Sequence, residues 1–184
     1  MGRGMARNLH KARLLRAVWN RTTTRADELA AELGVVAAAN PAALARDCDV
    51  IVLCIAADAD VLAGVDALLP GLRAGALVID CSTVSADTAR EAARRLAARG
   101  GEFLDAPVSG GVEGARDGTL AIMAGGTESA FARAQPVLQA MGRTVTHFGP
   151  SGSGQAAKAT NQIMCAGVIQ AVAEAMAFAK SQGL

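Results

Sequence analysis

Short apolar runs alternate along the chain with alanine-rich stretches whose apolar positions recur at helical spacing. The run at residues 50–55 is continuously apolar, as expected of a strand buried on both faces of a parallel sheet. Ser85 precedes one helical stretch and Asn40-Pro41 precedes another, and both patterns are typical of helix N-termini. This alternation predicts an α/β fold with a doubly wound, mostly parallel sheet.

The predicted elements follow one another closely along the chain. Strands are expected at residues 14–19, 35–37, 50–55, 77–80, 102–105, 120–124 and 145–148. Helices are expected at about residues 24–33, 41–46, 86–99 and 129–141, and from the end of the third strand to about residue 69. Residues 106–119 are rich in glycine and polar side chains, and they are expected to form a loop.

The pattern changes at the glycine-rich segment 149–154, which predicts a domain boundary: residues 1–150 form the first domain, and residues 151–184 begin a second, helical one. One long helix is expected from about Ser153 to Gln182, and it is apolar almost all round beyond Ile163. A helix of that kind must be buried by another surface. We therefore expect the sequence to stop inside a larger all-α domain, whose helices join chains into a homodimer or homotetramer.

Composition excludes several classes of protein. Hydrophobic residues make up 52% of the chain and the formal net charge is +1, which argues against disorder and against nucleic-acid binding. The four cysteines show no CxxC spacing, so they are interpreted as buried apolar residues of a cytoplasmic protein, with no metal site. The longest uncharged apolar stretch, residues 159–173, is too short for an ordinary membrane span.

Charge is distributed unevenly near the N-terminus. No Asp or Glu occurs before Asp27, whereas that segment contains seven basic residues: Arg3, Arg7, Lys11, Arg13, Arg16, Arg21 and Arg25. One interpretation is a transit peptide, which is rich in arginine and poor in acids. The other is a helix and strand that face an anionic cofactor.

Candidate ligand-binding residues follow the predicted strands, because ligands gather at the carboxyl ends of parallel strands. Asn20, Arg21 and Thr22 follow the first strand; an arginine there accommodates the 2′-phosphate of NADP, and the alternative is an ordinary surface arginine in a loop. Cys54, Ile55 and Ala56 end the third strand, and Ser82 and Thr83 follow the fourth. The pair Ser82-Thr83 could also be a plain turn before a helix.

Two further segments carry candidate chemistry. Ser109, Gly110 and Gly111 can turn a hydroxyl and backbone N–H groups toward an anion such as a substrate carboxylate, although the glycines also fit a tight structural turn. On the long helix, a shared face holds Lys158, Asn161, Gln162 and Cys165. A lone helical lysine is usually solvated, but a lysine in a pocket can act as a general acid or base.

Two strings in this chain, MGRGMARNL at residues 1–9 and DAPVSGG at residues 105–111, closely resemble the MGxxMAxNL and substrate-binding signatures of the β-hydroxyacid dehydrogenases. The resemblance implies a Rossmann-type fold, with Lys158 as the catalytic residue and Asn161 helping to hold the substrate. It implies that Met1 and Gly2 lie at the cofactor, NADP(H) or alternatively NAD(H). In that family a strand and two more glycines precede this point, so we expect the chain to be truncated at both ends.

The expected function is an NADP(H)-dependent oxidoreductase that transfers hydride between nicotinamide and a small β-hydroxyacid or its oxo form. The 6-phosphogluconate dehydrogenases share the SGGxxGAR string, but they carry a His-Asn pair where this chain has Asn161 and Gln162. Imine reductases usually lack the lysine that this chain has at Lys158. The alternative is an inactive fragment, or a non-catalytic scaffold that retains the family's fold.

Overall fold

The computed structural model describes all 184 residues as alternating helices and strands. The helices are α1 (Gly2–Lys11), α2 (Thr23–Leu33), α3 (Pro41–Asp47), α4 (Asp58–Leu68), α5 (Ala86–Ala97), α6 (Gly111–Asp117), α7 (Glu128–Met141) and α8 (Ser153–Ser181). The strands are β1 (Ala17–Val18), β2 (Val36–Ala37), β3 (Val50–Leu53), β4 (Leu77–Asp80), β5 (Glu102–Asp105), β6 (Val108–Ser109), β7 (Leu120–Ala124) and β8 (Gly142–His147).

The central sheet is mostly parallel. Strands β3, β4 and β5 lie side by side in parallel, and β7 pairs with β8 in parallel. Strand β6 continues the line of β5 and pairs with β7 in antiparallel fashion, and a further antiparallel bridge joins Asp105 to Gly125. The order across the sheet is therefore β3-β4-β5/β6-β7-β8. Strands β1 and β2 form a separate parallel pair.

Helices cover both faces of this sheet, as the burial of all four residues of β4 requires. Leu77 and Ile79 belong to one buried cluster with Met5 of α1 and Leu138 of α7. Val78 points the other way, into a second cluster that includes residues of α3, α4 and α5. The predicted doubly wound α/β fold is thus confirmed, and the carboxyl ends of β3 and β4 lie at one edge between the helical layers.

Several predicted boundaries were wrong, for local reasons. The strand expected at residues 14–19 is reduced to Ala17–Val18, since β1 has only the equally short β2 as a partner. Strand β8 begins at Gly142 rather than residue 145, so it includes polar residues that alternate with half-buried ones. The loop expected at residues 106–119 contains strand β6 and helix α6, which glycine content had obscured.

Helix α8 has two different environments along its length. Its first turns are packed against the domain, with Gly154, Gln155 and Lys158 buried. From Gln162 onward nearly every side chain is exposed, including Ile163 at 74%. The helix is long enough, at 29 residues with a mean hydropathy of 1.5 over its most apolar window, to cross a membrane. Length and composition alone do not distinguish such a helix from the core helix of a larger domain.

Candidate active site

One cleft of about 560 Å³ lies where the carboxyl ends of β3 and β4 meet β6, α8 and the start of α1. Its volume is within the range of pockets that bind small molecules and cofactors. Ten candidate residues from the sequence line it: Met1, Cys54, Ile55, Ala56, Ser82, Thr83, Ser109, Gly110, Gly111 and Lys158. Segments that are up to 157 positions apart in the sequence thus converge on one cavity, as the topology of parallel strands requires.

Lys158 is the buried cation of this cleft. Lys158 is only 7% exposed, and its Nζ donates a hydrogen bond to Oε1 of Gln162 at 2.9 Å. No carboxylate lies within ion-pair distance of the ammonium group. A buried charge without a counterion is costly, so such groups are concentrated at functional sites.

A buried carboxylate fixes the start of the helix that carries Lys158. Asp105, at the end of β5, accepts hydrogen bonds from the backbone N–H of Gly152 at 2.7 Å and of Gln155 at 2.9 Å. Glycine at position 154 is required for this approach, because a Cβ there would lie 2.8 Å from Asp105 Oδ2. Burial raises the pKa of Asp105, and the backbone N–H donors oppose that increase.

Gln155 ties the same helix to the loop after β4. Its Nε2 donates to the carbonyl oxygen of Ser82 at 2.9 Å, and its Oε1 accepts from the N–H of Val84 at 3.1 Å. The hydroxyl oxygen of Ser82 in turn accepts from the N–H of Ile55 at 2.8 Å. The loops that follow β3 and β4 are therefore held in register with Lys158 by specific hydrogen bonds.

Asp80 lies beneath these loops, at the end of β4, and is fully buried. Its Oδ1 accepts from the N–H of Ser82 at 3.0 Å, whereas its Oδ2 has no hydrogen-bond partner. Burial raises its pKa to about 6; hydrogen bonds from Ser82 oppose this increase, and the charge of Asp105, its register partner on β5, adds to it. The group therefore titrates near pH 6, well above the usual range of an aspartate.

The cleft's remaining wall is formed by the glycine segment after β6. Ser109 ends that strand, and Gly110 and Gly111 begin α6 with φ angles of 129° and 66°. Only glycine adopts such angles without strain, so the sequence here is dictated by the sharp turn into α6. The structural-turn interpretation and the ligand-binding interpretation of these glycines are thus compatible, because the turn lies in the cleft wall.

Five other predicted site residues do not line the cleft: Asn161, the three residues after β1, and Gly2. Asn161 lines a separate, open depression with Met123 and Phe148, and its Nδ2 donates to Gln162 Oε1 at 3.2 Å. Asn20, Arg21 and Thr22 follow β1, where Asn20 Oδ1 accepts from the N–H of Thr22 at 2.9 Å. The Arg21 side chain is 86% exposed and lies 3.8 Å from Asp60.

Gly2 starts α1 beside Cys54: a Cβ at Gly2 would lie 3.6 Å from the Cys54 Cβ. The neighbouring arginines of α1, Arg3 and Arg7, pair with Glu28 and Glu32 of α2. These two basic residues therefore face carboxylates of the chain itself, which differs from the cofactor-facing arrangement predicted for the segment.

Gln162 is the main site residue that the sequence left without a role. It lines the cleft and accepts the hydrogen bond of Lys158, whereas its neighbour Asn161 lines the separate depression and donates to the same Gln162 oxygen. The sequence signal that could have identified Gln162 is its spacing of four residues from Lys158, which places the two side chains one above the other on the helix. Cys81 and Val108, which were not among the candidates, also line the cleft.

Comparisons with known proteins agree with this architecture. Residues 1–149 match the family described as the NAD binding domain of 6-phosphogluconate dehydrogenase. Over its whole length the chain is 40% identical to the mitochondrial 3-hydroxyisobutyrate dehydrogenase of Drosophila melanogaster, of which it covers 57%. It is also 40% identical, over its whole length, to the NAD-dependent L-serine dehydrogenase of Pseudomonas aeruginosa, of which it covers 62%.

The solved structure of Mycobacterium tuberculosis 3-hydroxyisobutyrate dehydrogenase with L-serine superposes with a TM-score of 0.94 at 38% identity. The match covers the whole chain and 63% of that structure. The chain thus spans less than two thirds of the length of these relatives. It belongs to the β-hydroxyacid dehydrogenase family, and it comprises a Rossmann-like NAD-binding domain that ends in a long helix.

Proposed function

We propose that this chain supplies the catalytic cleft of an NADP(H)-dependent oxidoreductase that interconverts a small β-hydroxyacid and its semialdehyde or oxo form. The observation that carries the proposal is the buried Lys158 ammonium, which faces the cleft without a carboxylate partner. An ammonium group in that position can stabilise negative charge that develops on a substrate oxygen. A structural lysine would gain nothing from such a location.

Lys158 is the proposed general acid and base. In the reducing direction its Nζ donates a proton to the carbonyl oxygen, and in the oxidising direction the neutral amine accepts the hydroxyl proton. Gln162 holds Nζ through its Oε1, which fixes the lysine rotamer and leaves the remaining N–H donors for the substrate. Ser109, Gly110 and Gly111 form the cleft wall that we assign to the substrate carboxylate, and Asn161 stays a weaker candidate because it lines the separate depression.

The cofactor fits the other half of the cleft. Met1, Cys54, Ile55, Ala56 and Thr83 line it at the carboxyl ends of β3 and β4, next to Gly2 at the start of α1. The nicotinamide supplies the hydride donor or acceptor when it is bound.

We assign the adenosine end of the cofactor to Asn20, Arg21 and Thr22 after β1. The exposed Arg21 guanidinium is free enough, at 3.8 Å from Asp60, to turn toward a 2′-phosphate. This assignment favours NADP(H) over NAD(H), although one relative is named as NAD-dependent. Competition between NADPH and NADH for the chain measures the preference directly.

The substrate class follows from the cleft and from the relatives. A cleft wall that binds a carboxylate, next to a proton donor, suits a short hydroxyacid. The relatives' names specify 3-hydroxyisobutyrate and L-serine, both of which are β-hydroxy carboxylates. We propose this class for the chain. Candidate substrates of this class are methylmalonate semialdehyde and tartronate semialdehyde for reduction, and L-serine for oxidation. Glyoxylate and succinic semialdehyde, whose reduction gives an α- and a γ-hydroxyacid, are the comparison substrates.

Substitution of Lys158 by alanine tests the proposal. We expect turnover of the preferred substrate to fall by at least about 10²-fold, the usual contribution of a positioned acid or base, with little change in the dissociation constant of NADPH. Lys11→Ala removes an exposed lysine of α1 and is the matched control, with turnover unchanged.

Two outcomes would contradict the proposal in different ways. Full turnover by Lys158→Ala would eliminate the lysine as the acid or base. NADPH binding by the unmodified chain without turnover of any substrate would favour the alternative, a non-catalytic module that retains the fold. Fluorescence titration of NADPH and absorbance at the nicotinamide band distinguish these cases.

A further inference from the structure

Two cysteines lie side by side at the ends of neighbouring strands. Strands β3 and β4 are parallel, with Val50 opposite Leu77 and Val52 opposite Ile79. The ladder continues past the last pair, because the N–H of Cys81 donates to the carbonyl oxygen of Leu53 at 2.9 Å. Cys54 and Cys81 are therefore the next pair in this register.

Their side chains lie on the same face of the sheet. Leu77, Ile79 and Cys81 all belong to one buried cluster, and Val50 and Val52 pack against it. Since side chains alternate along a strand, Cys54 continues the face of Val50 and Val52. Neighbouring strands are about 4.8 Å apart, which is within the Cα separation that disulfides span.

The two thiols differ in how accessible they are. Cys54 is exposed and Cys81 is only 3% exposed, yet both line the cleft. The other two cysteines lie elsewhere: Cys48 follows α3, and Cys165 is exposed on α8. A reagent that enters the cleft therefore meets Cys54 first, with Cys81 directly behind it.

We propose that Cys54 and Cys81 are a reversible oxidation site, a dithiol that small-molecule disulfides convert to an intramolecular disulfide at the floor of the cleft. The deprotonated Sγ of Cys54 attacks one sulfur of the reagent, its S–S bond breaks, and the first thiolate leaves. The deprotonated Sγ of Cys81 then attacks Cys54 Sγ and releases the second thiolate. The two cysteines lose two electrons and two protons in all, and the reagent is reduced to two thiols.

Partial desolvation raises the pKa of the Cys54 thiol, and complete burial raises that of Cys81. Both thiols are therefore mostly protonated at neutral pH, and the reaction accelerates as the pH rises. The site is thus slow to oxidise under mild conditions. An excess of oxidant or a mildly alkaline pH is needed to oxidise it.

The consequence for the cleft rests on the proposed function. Cys54 is followed directly by Ile55 and Ala56, and Cys81 by Ser82 and Thr83, all of which line the cleft. A disulfide between the two strand ends fixes the separation of these loops where the cofactor is proposed to lie. NADPH bound at the position proposed above would cover Cys54. Cofactor binding and oxidation of the two cysteines would therefore exclude each other.

The test uses the full chain with Cys48→Ser and Cys165→Ser, treated at pH 8.5 with one equivalent of 5,5′-dithiobis(2-nitrobenzoate). We expect two equivalents of coloured thiolate per chain and an intact mass lower by two hydrogens, with no retained label. Adding Cys81→Ala is the matched control: it should release one equivalent and keep the label on Cys54.

A label retained on Cys54 when Cys81 is present, or labels on both cysteines, would overturn the proposal. Peptide mapping of the oxidised, unsubstituted chain is the second measurement, and absence of a Cys54–Cys81 linked peptide would overturn it equally. NADPH at ten times its dissociation constant should slow the first thiolate release about tenfold. Cross-linking that NADPH does not slow would contradict the proposed cofactor position and leave the dithiol standing.

Discussion

Asp80 is the residue whose environment departs most from what its type requires. Its carboxyl group is fully buried, one oxygen lacks a hydrogen-bond partner, and its strand neighbour Asp105 is a second carboxylate. Ionising such a buried group carries a cost in free energy that is absent when an exposed aspartate ionises. The cost is tolerated at the edge of the cleft, where Asp80 Oδ1 orients the Ser82 backbone.

This burial makes the stability of the domain depend on pH. The pKa of Asp80 is raised from 3.8 to about 6, so the folded state retains the proton longer than the unfolded state. Asp80 therefore stabilises the fold below its unfolded pKa, and that contribution is lost as the pH rises through about 6. A shift of about two units corresponds to a loss of about 3 kcal/mol.

Asp80→Asn isolates this contribution from those of other carboxylates. The difference in unfolding free energy, unsubstituted chain minus Asp80→Asn, should fall by about 2 kcal/mol between pH 4 and pH 7. Urea unfolding at a series of pH values measures it. Asp87→Asn changes an aspartate whose side chain is 92% exposed and should give a flat difference. A flat difference for Asp80→Asn as well would contradict the raised pKa.

The candidate residues that share the cleft were found from a motif or from the end of a strand. Lys158 and the Ser109–Gly111 segment line the same cleft, and their roles stay predictions. Asn161 and Gln162 line different cavities because adjacent helical residues point about 100° apart. Which of them faces the cleft depends on how α8 docks, which is a tertiary property.

Among the elements, α8 depends most on a single contact. Its first turn is buried, and the N–H groups of Gly152 and Gln155 are satisfied by the carboxylate of Asp105. Asparagine in that position has one acceptor oxygen and one amide nitrogen, so one of the two N–H groups loses its partner. Each buried N–H group left without a partner costs about 1–3 kcal/mol.

We expect Asp105→Asn to loosen the start of α8 specifically. Amide hydrogen exchange should become faster for peptides that contain residues 152–158, and turnover should fall because Lys158 is less well positioned. Asn40→Ala is the matched control, since Asn40 caps α3 through the N–H of Ala43. It should destabilise the fold by about 1 kcal/mol without changing exchange in α8. Unchanged exchange in Asp105→Asn would show that this carboxylate does not hold the helix.

The helices and strands that were predicted well are those with a clear hydrophobic pattern. The fully buried strand β4 was predicted to the residue, because its first three positions are apolar and the polar Asp80 marks its end at the sheet edge. Helix α6 was missed because a seven-residue segment with two glycines has almost no helical signal of its own. It forms because its Ala115 packs against α1, where a Cβ at Gly4 would lie 2.7 Å from the Ala115 carbonyl oxygen.

On the scale of the whole molecule, the apolar surface is concentrated on one helix. Beyond Lys158, helix α8 exposes large apolar side chains on all sides: Ile163, Met164, Val168, Ile169, Val172, Met176 and Phe178. Their exposed fractions run from 57% to 74%, which is far from the scattered single apolar residues of an ordinary monomer surface. The segments around the cleft, by contrast, are held together by hydrogen bonds and by glycines that pack closely against their neighbours.

This distribution predicts that the 184-residue chain associates with itself in solution through α8. Burying Val168 and Val172, which lie one above the other on the helix, stabilises such an assembly by roughly 1.5–3 kcal/mol for each fully buried side chain. Val168→Glu with Val172→Glu would place two carboxylates in that interface and should leave a monomer. Ser181→Glu with Gln182→Glu adds the same charge at the polar end of the helix and should leave the assembly intact. Sedimentation velocity distinguishes the species, and a monomeric unsubstituted chain would show that α8 does not join copies of this chain.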